Sequence, residues 1–166
     1  MLQQELNERA RALLDLCRGK RLKLAAAESC TGGLLAATLT EIPGSSDVFE
    51  RGFITYSNEA KETMLGVPSS VLEQFGAVSR ETAEAMAQGA LAHSPAELAV
   101  AITGIAGPGG GMPGKPVGLV HFAAAARAGR LLHQECRFGD IGRAQVRLVS
   151  VRQALSMLHE LAQAPR

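Results

Sequence analysis

Tryptophan is absent, and one tyrosine and five phenylalanines are the only aromatics in a chain of 166 residues. So few rings leave no stacking platform for nucleic-acid bases. An excess of either charge is missing as well. Seventeen Lys and Arg against sixteen Asp and Glu give a net charge of +1. That balance implies no general attraction to nucleic acid or to an anionic membrane. An anionic ligand would have to be held by a local site. Cysteine is scarce: Cys17, Cys30 and Cys136 are widely spaced and odd in number. There is no CxxC pair and no Cys/His metal spacing, so neither a disulfide framework nor a structural zinc is expected. A reduced cytoplasm is the expected compartment. No apolar run has the length of a membrane span. The polar stretch Met1 to Arg11 does not read as a signal peptide.

What the chain does have is apolar content, 46% of residues, and eighteen glycines. That is enough for one buried core, so residues 1–166 are expected to form a single domain with tight turns. Leu6, Ala10, Leu13, Leu14 and Cys17 recur at helical spacing and predict a first helix over residues 3–17, ended by Gly19. Leu22 to Ala27 reads as a buried strand. A second helix is expected from near Thr31 to about Glu41, before Pro43-Gly44. Val48 to Tyr56 reads as a second strand. Asn58 is the expected N-cap of a short helix through Leu65, and Ser70 with Glu73 forms a capping-box pattern for another. Ser79 is expected to cap a longer helix through Leu91. Glu97 to Thr103 is a strand, and Gly104 to Pro116 is a glycine- and proline-rich loop. Val117 to Ala124 and Arg130 to Phe138 form a hairpin around Ala128-Gly129. Gly142 to Ala162 is a long last helix. The pattern predicts an α/β fold: a three-layer α/β/α sandwich with a mixed, partly parallel sheet.

Several groups in this layout can carry chemistry. Ser29, in Glu28-Ser29-Cys30-Thr31-Gly32-Gly33, stands at a strand-to-helix turn beside free backbone N–H groups. It can be a nucleophile, a phosphate-contacting hydroxyl or a helix cap. The amides of Thr31, Gly32 and Gly33 are the expected donors to an oxyanion. Lys61 lies in the first turn of a helix, where the dipole disfavours its charge, and burial would do the same. It can be a general base, or a solvated lysine beside Glu59 and Glu62. Serine and lysine together form a known nucleophile arrangement, if the fold brings them into contact. Tyr56, at a strand end, could relay the proton or orient the lysine. Thr103 and Gly104 lie just past a strand end, where open α/β sheets bind ligands. Gly109, Gly111 and Gly114 spell GxGxxG, but prolines intervene and a strand follows, so the dinucleotide-binding context fails. Arg143 and Arg147 are four apart and can share a helix face to grip a phosphate, or form a solvated basic face with Arg152. Cys30 is a thiol at a helix start or a packing residue. His93, His121, His133 and His159 are scattered and read as structural or surface residues.

Five blocks occur in one order: Ala27 to Gly33 (AESCTGG), Pro43 to Ser46 (PGSS), Gly52 to Lys61 (GFITYSNEAK), Gly76 to Ser79 (GAVS) and Thr103 to Gly110 (TGIAGPGG). Together they resemble the C-terminal domain of CinA, the competence/damage-inducible proteins, and its stand-alone, PncC-like relatives. The resemblance covers nearly the whole chain. It implies a nicotinamide-nucleotide amidase that hydrolyses nicotinamide mononucleotide to nicotinate mononucleotide and ammonia. It also implies a serine nucleophile at Ser29, with Tyr56 and Lys61 as its catalytic partners. Thr31, Gly32, Gly33, Thr103, Gly104 and Arg143 are the expected substrate-binding residues. No metal, cofactor, nucleic acid or membrane is implied, and a homo-oligomer such as a dimer is expected. The pyrophosphatase domain of larger CinA proteins is not expected here. The family usually has Gly-Asp-Arg before its last helix. Here Ile141-Gly142 separates Gly139-Asp140 from Arg143, so a different turn is expected. Two rival readings are a nucleotide-binding module without turnover and a competence or DNA-damage interaction protein.

Overall fold

The computed structural model describes residues 1–165. In chain order the elements are α1 (Leu2–Lys20), β1 (Leu24–Glu28), α2 (Leu34–Thr40), β2 (Phe49–Ile54), α3 (Asn58–Leu65), α4 (Ser69–Phe75), α5 (Arg80–Ala92), β3 (Leu98–Gly104), β4 (Leu119–Ala126), β5 (Leu131–Arg137) and α6 (Arg143–Gln163). The sheet runs β2-β1-β3-β4-β5. β1 is parallel to β2 and β3, and β4 is antiparallel to β3 and β5. The expected mixed, helix-covered sheet is the fold observed.

The two faces of the sheet differ in side-chain size, which places the helices. One face carries Leu24, Leu98, Val100, Ile102, Val120 and Phe122, packed against α1, α2 and α6. The other carries Ala25, Ala27, Ala99, Ala101, Ala123 and Ala125, packed against α3, α4 and α5. Alanine is a poor strand former by propensity, but on this face it lets α5 lie close to the sheet. Burial of both faces outweighs the weak propensity.

The element ends differ from the sequence expectation in instructive places. Gly19 lies inside α1, which closes instead at Arg21 in the left-handed conformation, φ 57°. Asn58 is the first helical residue of α3, and Ser57 is the cap, its hydroxyl accepting from the Ala60 amide at 3.0 Å. The Ser70/Glu73 box does not form, because α4 starts at Ser69 after Pro68 with no side-chain cap. Ser79 does cap α5, accepting from the Thr82 amide at 3.2 Å. α2 begins at Leu34 because Gly32 and Gly33 take positive φ (54° and 102°), which a helix cannot contain.

The chain leaves β1 to place β2 on one side and returns to place β3 on the other. The loops after β1 and β3 therefore diverge and open a crevice at the carboxyl ends of the strands. Ser29 follows β1 there, and Ile105 follows β3.

Candidate functional site

A cleft of ≈ 250 Å³ opens at this crevice, lined among others by Ser29, Tyr56, Lys61, Val78, Thr103 and Arg143. The elements around it hold its parts in place through the backbone. The Ser29 amide donates to the Ile102 carbonyl at 2.9 Å, extending the β1–β3 ladder past Glu28. The Thr55 amide donates to the Glu28 carbonyl at 2.9 Å, extending the β1–β2 ladder likewise. Both extensions end at the serine turn, so two strands fix where Ser29 stands.

Lys61 is 1% exposed and reaches Ser29 from the first turn of α3. Its Nζ lies 3.0 Å from Ser29 Oγ, 2.8 Å from the Thr55 carbonyl oxygen and 3.3 Å from the Tyr56 carbonyl oxygen. A neutral amine has two hydrogens and one lone pair. The two carbonyls take the hydrogens, which leaves the lone pair for the serine hydroxyl. The ammonium form would use all three positions as donors. Burial pulls the Lys61 pKa down to about 8, because a buried ammonium loses its hydration. Among the described residues no carboxylate lies within ion-pair distance of Lys61 to oppose that shift.

Tyr56 and Lys61 do meet, but through the main chain. Tyr56 is 59% exposed, and its hydroxyl accepts a hydrogen bond from Arg143 at 2.9 Å. The expected proton relay from the phenol to Lys61 has no hydrogen bond to run along. Arg143 also donates to the Gly107 carbonyl at 2.8 Å, so it clasps the glycine-rich loop to the β2–α3 connection. A guanidinium has five N–H donors, and these contacts leave three for an anion. The Ile141-Gly142 insertion thus leaves Arg143 at the cleft. Thr103 is 1% exposed, and its hydroxyl donates to the Ala77 carbonyl at 2.8 Å, tying β3 to the loop before α5. Gly104 is a close-packing position: a Cβ there would lie 2.8 Å from the Leu119 carbonyl oxygen.

The serine turn engages two of the three expected donors. The Gly32 amide is engaged by the Ser29 carbonyl at 3.0 Å, and the Gly33 amide by the Glu28 carboxylate at 3.2 Å. Thr31 is fully buried. Among the described residues neither the Cys30 nor the Thr31 amide meets a carbonyl or side-chain oxygen; the Cys30 amide lies against its own thiol, and Cys30, unlike Thr31, lines the cleft. Burial pushes the Cys30 thiol up to about 11, which keeps it protonated and makes it a packing residue rather than a thiolate.

Sequence reasoning missed Glu28. Its carboxylate is 1% exposed and also accepts from the Leu35 amide at 2.9 Å and the Ala36 amide at 3.0 Å. It satisfies the open N–H groups at the start of α2 from inside the protein. The available signal was an acidic residue immediately before a helix start. The GxGxxG loop contributes Gly109 and Gly110 to one wall of the cleft, followed by β4 and no helix.

The chain is similar to known proteins over most of its length. A profile of the CinA C-terminal domain matches residues 6–162. The crystal structure of competence/damage inducible protein CihA from Agrobacterium tumefaciens is 57% identical, covers 95% of this chain and 96% of that one, and superposes with a TM-score of 0.94. A CinA superfamily protein from Escherichia coli is 34% identical over 96% of this chain and 90% of its own, with a TM-score of 0.89. The nicotinamide-nucleotide amidohydrolase PncC of Enterobacter agglomerans is 47% identical over 141 residues, 84% of this chain and 86% of that protein. Other relatives are longer. The chain spans only 28% of a putative competence-damage inducible protein from Caldicellulosiruptor bescii, which is 56% identical over 115 residues.

Proposed function

Since the chain belongs to the CinA C-terminal domain family, we propose that it is a nicotinamide-nucleotide amidase that acts on nicotinamide mononucleotide through a serine acyl-enzyme. The observation that carries this reading is the 3.0 Å contact between Lys61 Nζ and Ser29 Oγ, with both groups buried at the floor of the cleft. The name of the Enterobacter agglomerans relative supplies the substrate class.

In the proposed mechanism neutral Lys61 takes the proton of Ser29 as Oγ attacks the carboxamide carbon. The carbonyl π pair moves onto oxygen, where the Cys30 amide, which has no oxygen acceptor and belongs to the cleft lining, is the donor of the turn. Collapse breaks the C–N bond, and Lys61 returns the proton to the leaving nitrogen, releasing ammonia. Water then attacks the acyl carbon, giving a proton to Lys61. The Oγ–C bond breaks, Ser29 recovers the proton from Lys61, and the product carboxylic acid releases the second proton of the water to solvent as nicotinate departs. Arg143, the exposed cation of the cleft lining, faces the phosphate at the mouth. Every proton that Ser29 gives up or recovers passes through one amine.

The test is ammonia release from nicotinamide mononucleotide by the purified protein and by Ser29→Ala. The wild type should release ammonia, and Ser29→Ala should lose at least about 10³-fold with its melting temperature nearly unchanged. Binding of the nucleotide without turnover by the wild type would replace the amidase reading with that of a binding module.

A further inference from the structure

Arg147 stands one turn beyond Arg143 on α6, the spacing that suggested a shared phosphate grip. It is not among the residues that line the cleft. Its Nε donates to the Cys30 carbonyl at 3.2 Å and its Nη2 to the Thr31 carbonyl at 2.9 Å. We propose that Arg147 is a positioning residue for the Ser29 nucleophile, holding the peptide planes of the serine turn so that the Cys30 amide is presented to the cleft. The proposal rests on the amidase reading and deepens it.

The argument follows the peptide planes. In a trans peptide the C=O and N–H point in opposite directions, and among the described residues the only cis bond is Gly107-Pro108. The plane joining Thr31 to Gly32 is gripped at both ends. Arg147 holds its oxygen at 2.9 Å, and the Ser29 carbonyl receives its N–H at 3.0 Å. That second bond also fixes the plane joining Ser29 to Cys30, because it holds the Ser29 oxygen. The far end of that plane is the Cys30 N–H, directed away from Gly32. Arg147 thus acts on the amide beside the nucleophile through two successive planes.

The surroundings make the guanidinium hard to replace. Removing Arg147 would leave the Thr31 carbonyl its second partner, the Leu34 amide at 3.0 Å, but would strip the Cys30 carbonyl of its hydrogen bond, and at 6% exposure Cys30 has little access to water. Glu28 covers the N–H groups at the other end of the turn. An arginine and a carboxylate on opposite sides therefore hold the backbone, one through its acceptors and one through its donors. Gly32 and Gly33, both at positive φ, make this backbone easy to rearrange without such supports.

The experiment compares Arg147→Met and Arg147→Lys with the wild type on nicotinamide mononucleotide and on nicotinamide riboside, which lacks the phosphate. A second readout is the rate at which a fluorophosphonate labels Ser29, its Oγ displacing fluoride. Both variants should lose kcat on the order of a hundredfold on both substrates, with KM within about twofold, and label correspondingly slowly. Lysine has no planar edge that places two separate nitrogens against the Cys30 and Thr31 carbonyls, so it should not rescue. Should Arg147→Met fail to fold, Arg147→Lys carries the comparison. A raised KM for the mononucleotide alone, with kcat intact, would make Arg147 a phosphate ligand and overturn the proposal, as would unchanged labelling in the variants. If the wild type labels but releases no ammonia, the amidase reading fails and the labelling rates still decide the role of Arg147. A wild type that neither labels Ser29 nor releases ammonia overturns both.

Discussion

At the Lys61 amine, burial favours the neutral form and brings the pKa from 10.5 to about 8. The proposed base is that neutral form, so kcat/KM should rise about tenfold per pH unit below pH 8 and level off above it. Initial rates between pH 6 and 10 check this, and a flat profile would remove Lys61 as the base. The same shift predicts a stability change. Between about pH 8 and 10.5 the unfolded chain still holds a proton on Lys61 that the folded chain has released. Stability therefore rises with pH across that window, by about 3 kcal/mol if Lys61 acted alone. Urea unfolding at pH 7.5 and 10.5 should show this rise in the wild type, and Lys61→Met should lack it. The lysine position was legible as a group near a helix start with a disfavoured charge. Its contact with Ser29 was not, because thirty-two residues separate the two side chains and only the strand order brings α3 over the β1 end.

Among the elements, α3 is the one whose placement matters most to the cleft, and α5 sets it. A Cβ on Gly89 would lie 2.0 Å from the Leu65 carbonyl oxygen at the end of α3. Glycine is required at that point by close approach, since the atom in the way is backbone. Gly89→Ala should push the two helices apart, with a loss of about 1–3 kcal/mol from overpacking. It should also reduce activity, because α3 carries Lys61. Thermal unfolding and ammonia release measured on the same variant check both parts; full activity at a lowered melting temperature would show that α3 keeps its register over β1. Capping shows how far local rules reach. Ser79 follows them, its hydroxyl accepting from the Thr82 amide. At α2 the sequence offered Ser29 as a cap, and the buried Glu28 carboxylate does that work instead. A carboxylate accepts several N–H bonds at once, and a serine that is free of capping remains available to Lys61.

At the scale of the whole molecule, the near-balanced charge remains the best guide to what the surface does not do. Seventeen cationic and sixteen acidic side chains give no broad basic field. Duplex DNA at low salt should not be retarded in a gel by micromolar protein, and a retardation that weakens as salt rises would support the DNA-associated rival. The layered fold was readable because apolar runs, breakers and turn residues act locally and recur with helix or strand period. So were the ordered blocks that mark the family. Tertiary structure alone decided how their polar atoms are used. It gave the Tyr56 hydroxyl to Arg143 and its carbonyl to Lys61. It engaged the Gly32 and Gly33 amides within the serine turn, and it turned Arg147 onto the carbonyls of that turn. The physical reason is that hydrophobic periodicity is written along the chain, whereas a hydrogen-bond partner is selected by distance and angle between segments far apart in sequence.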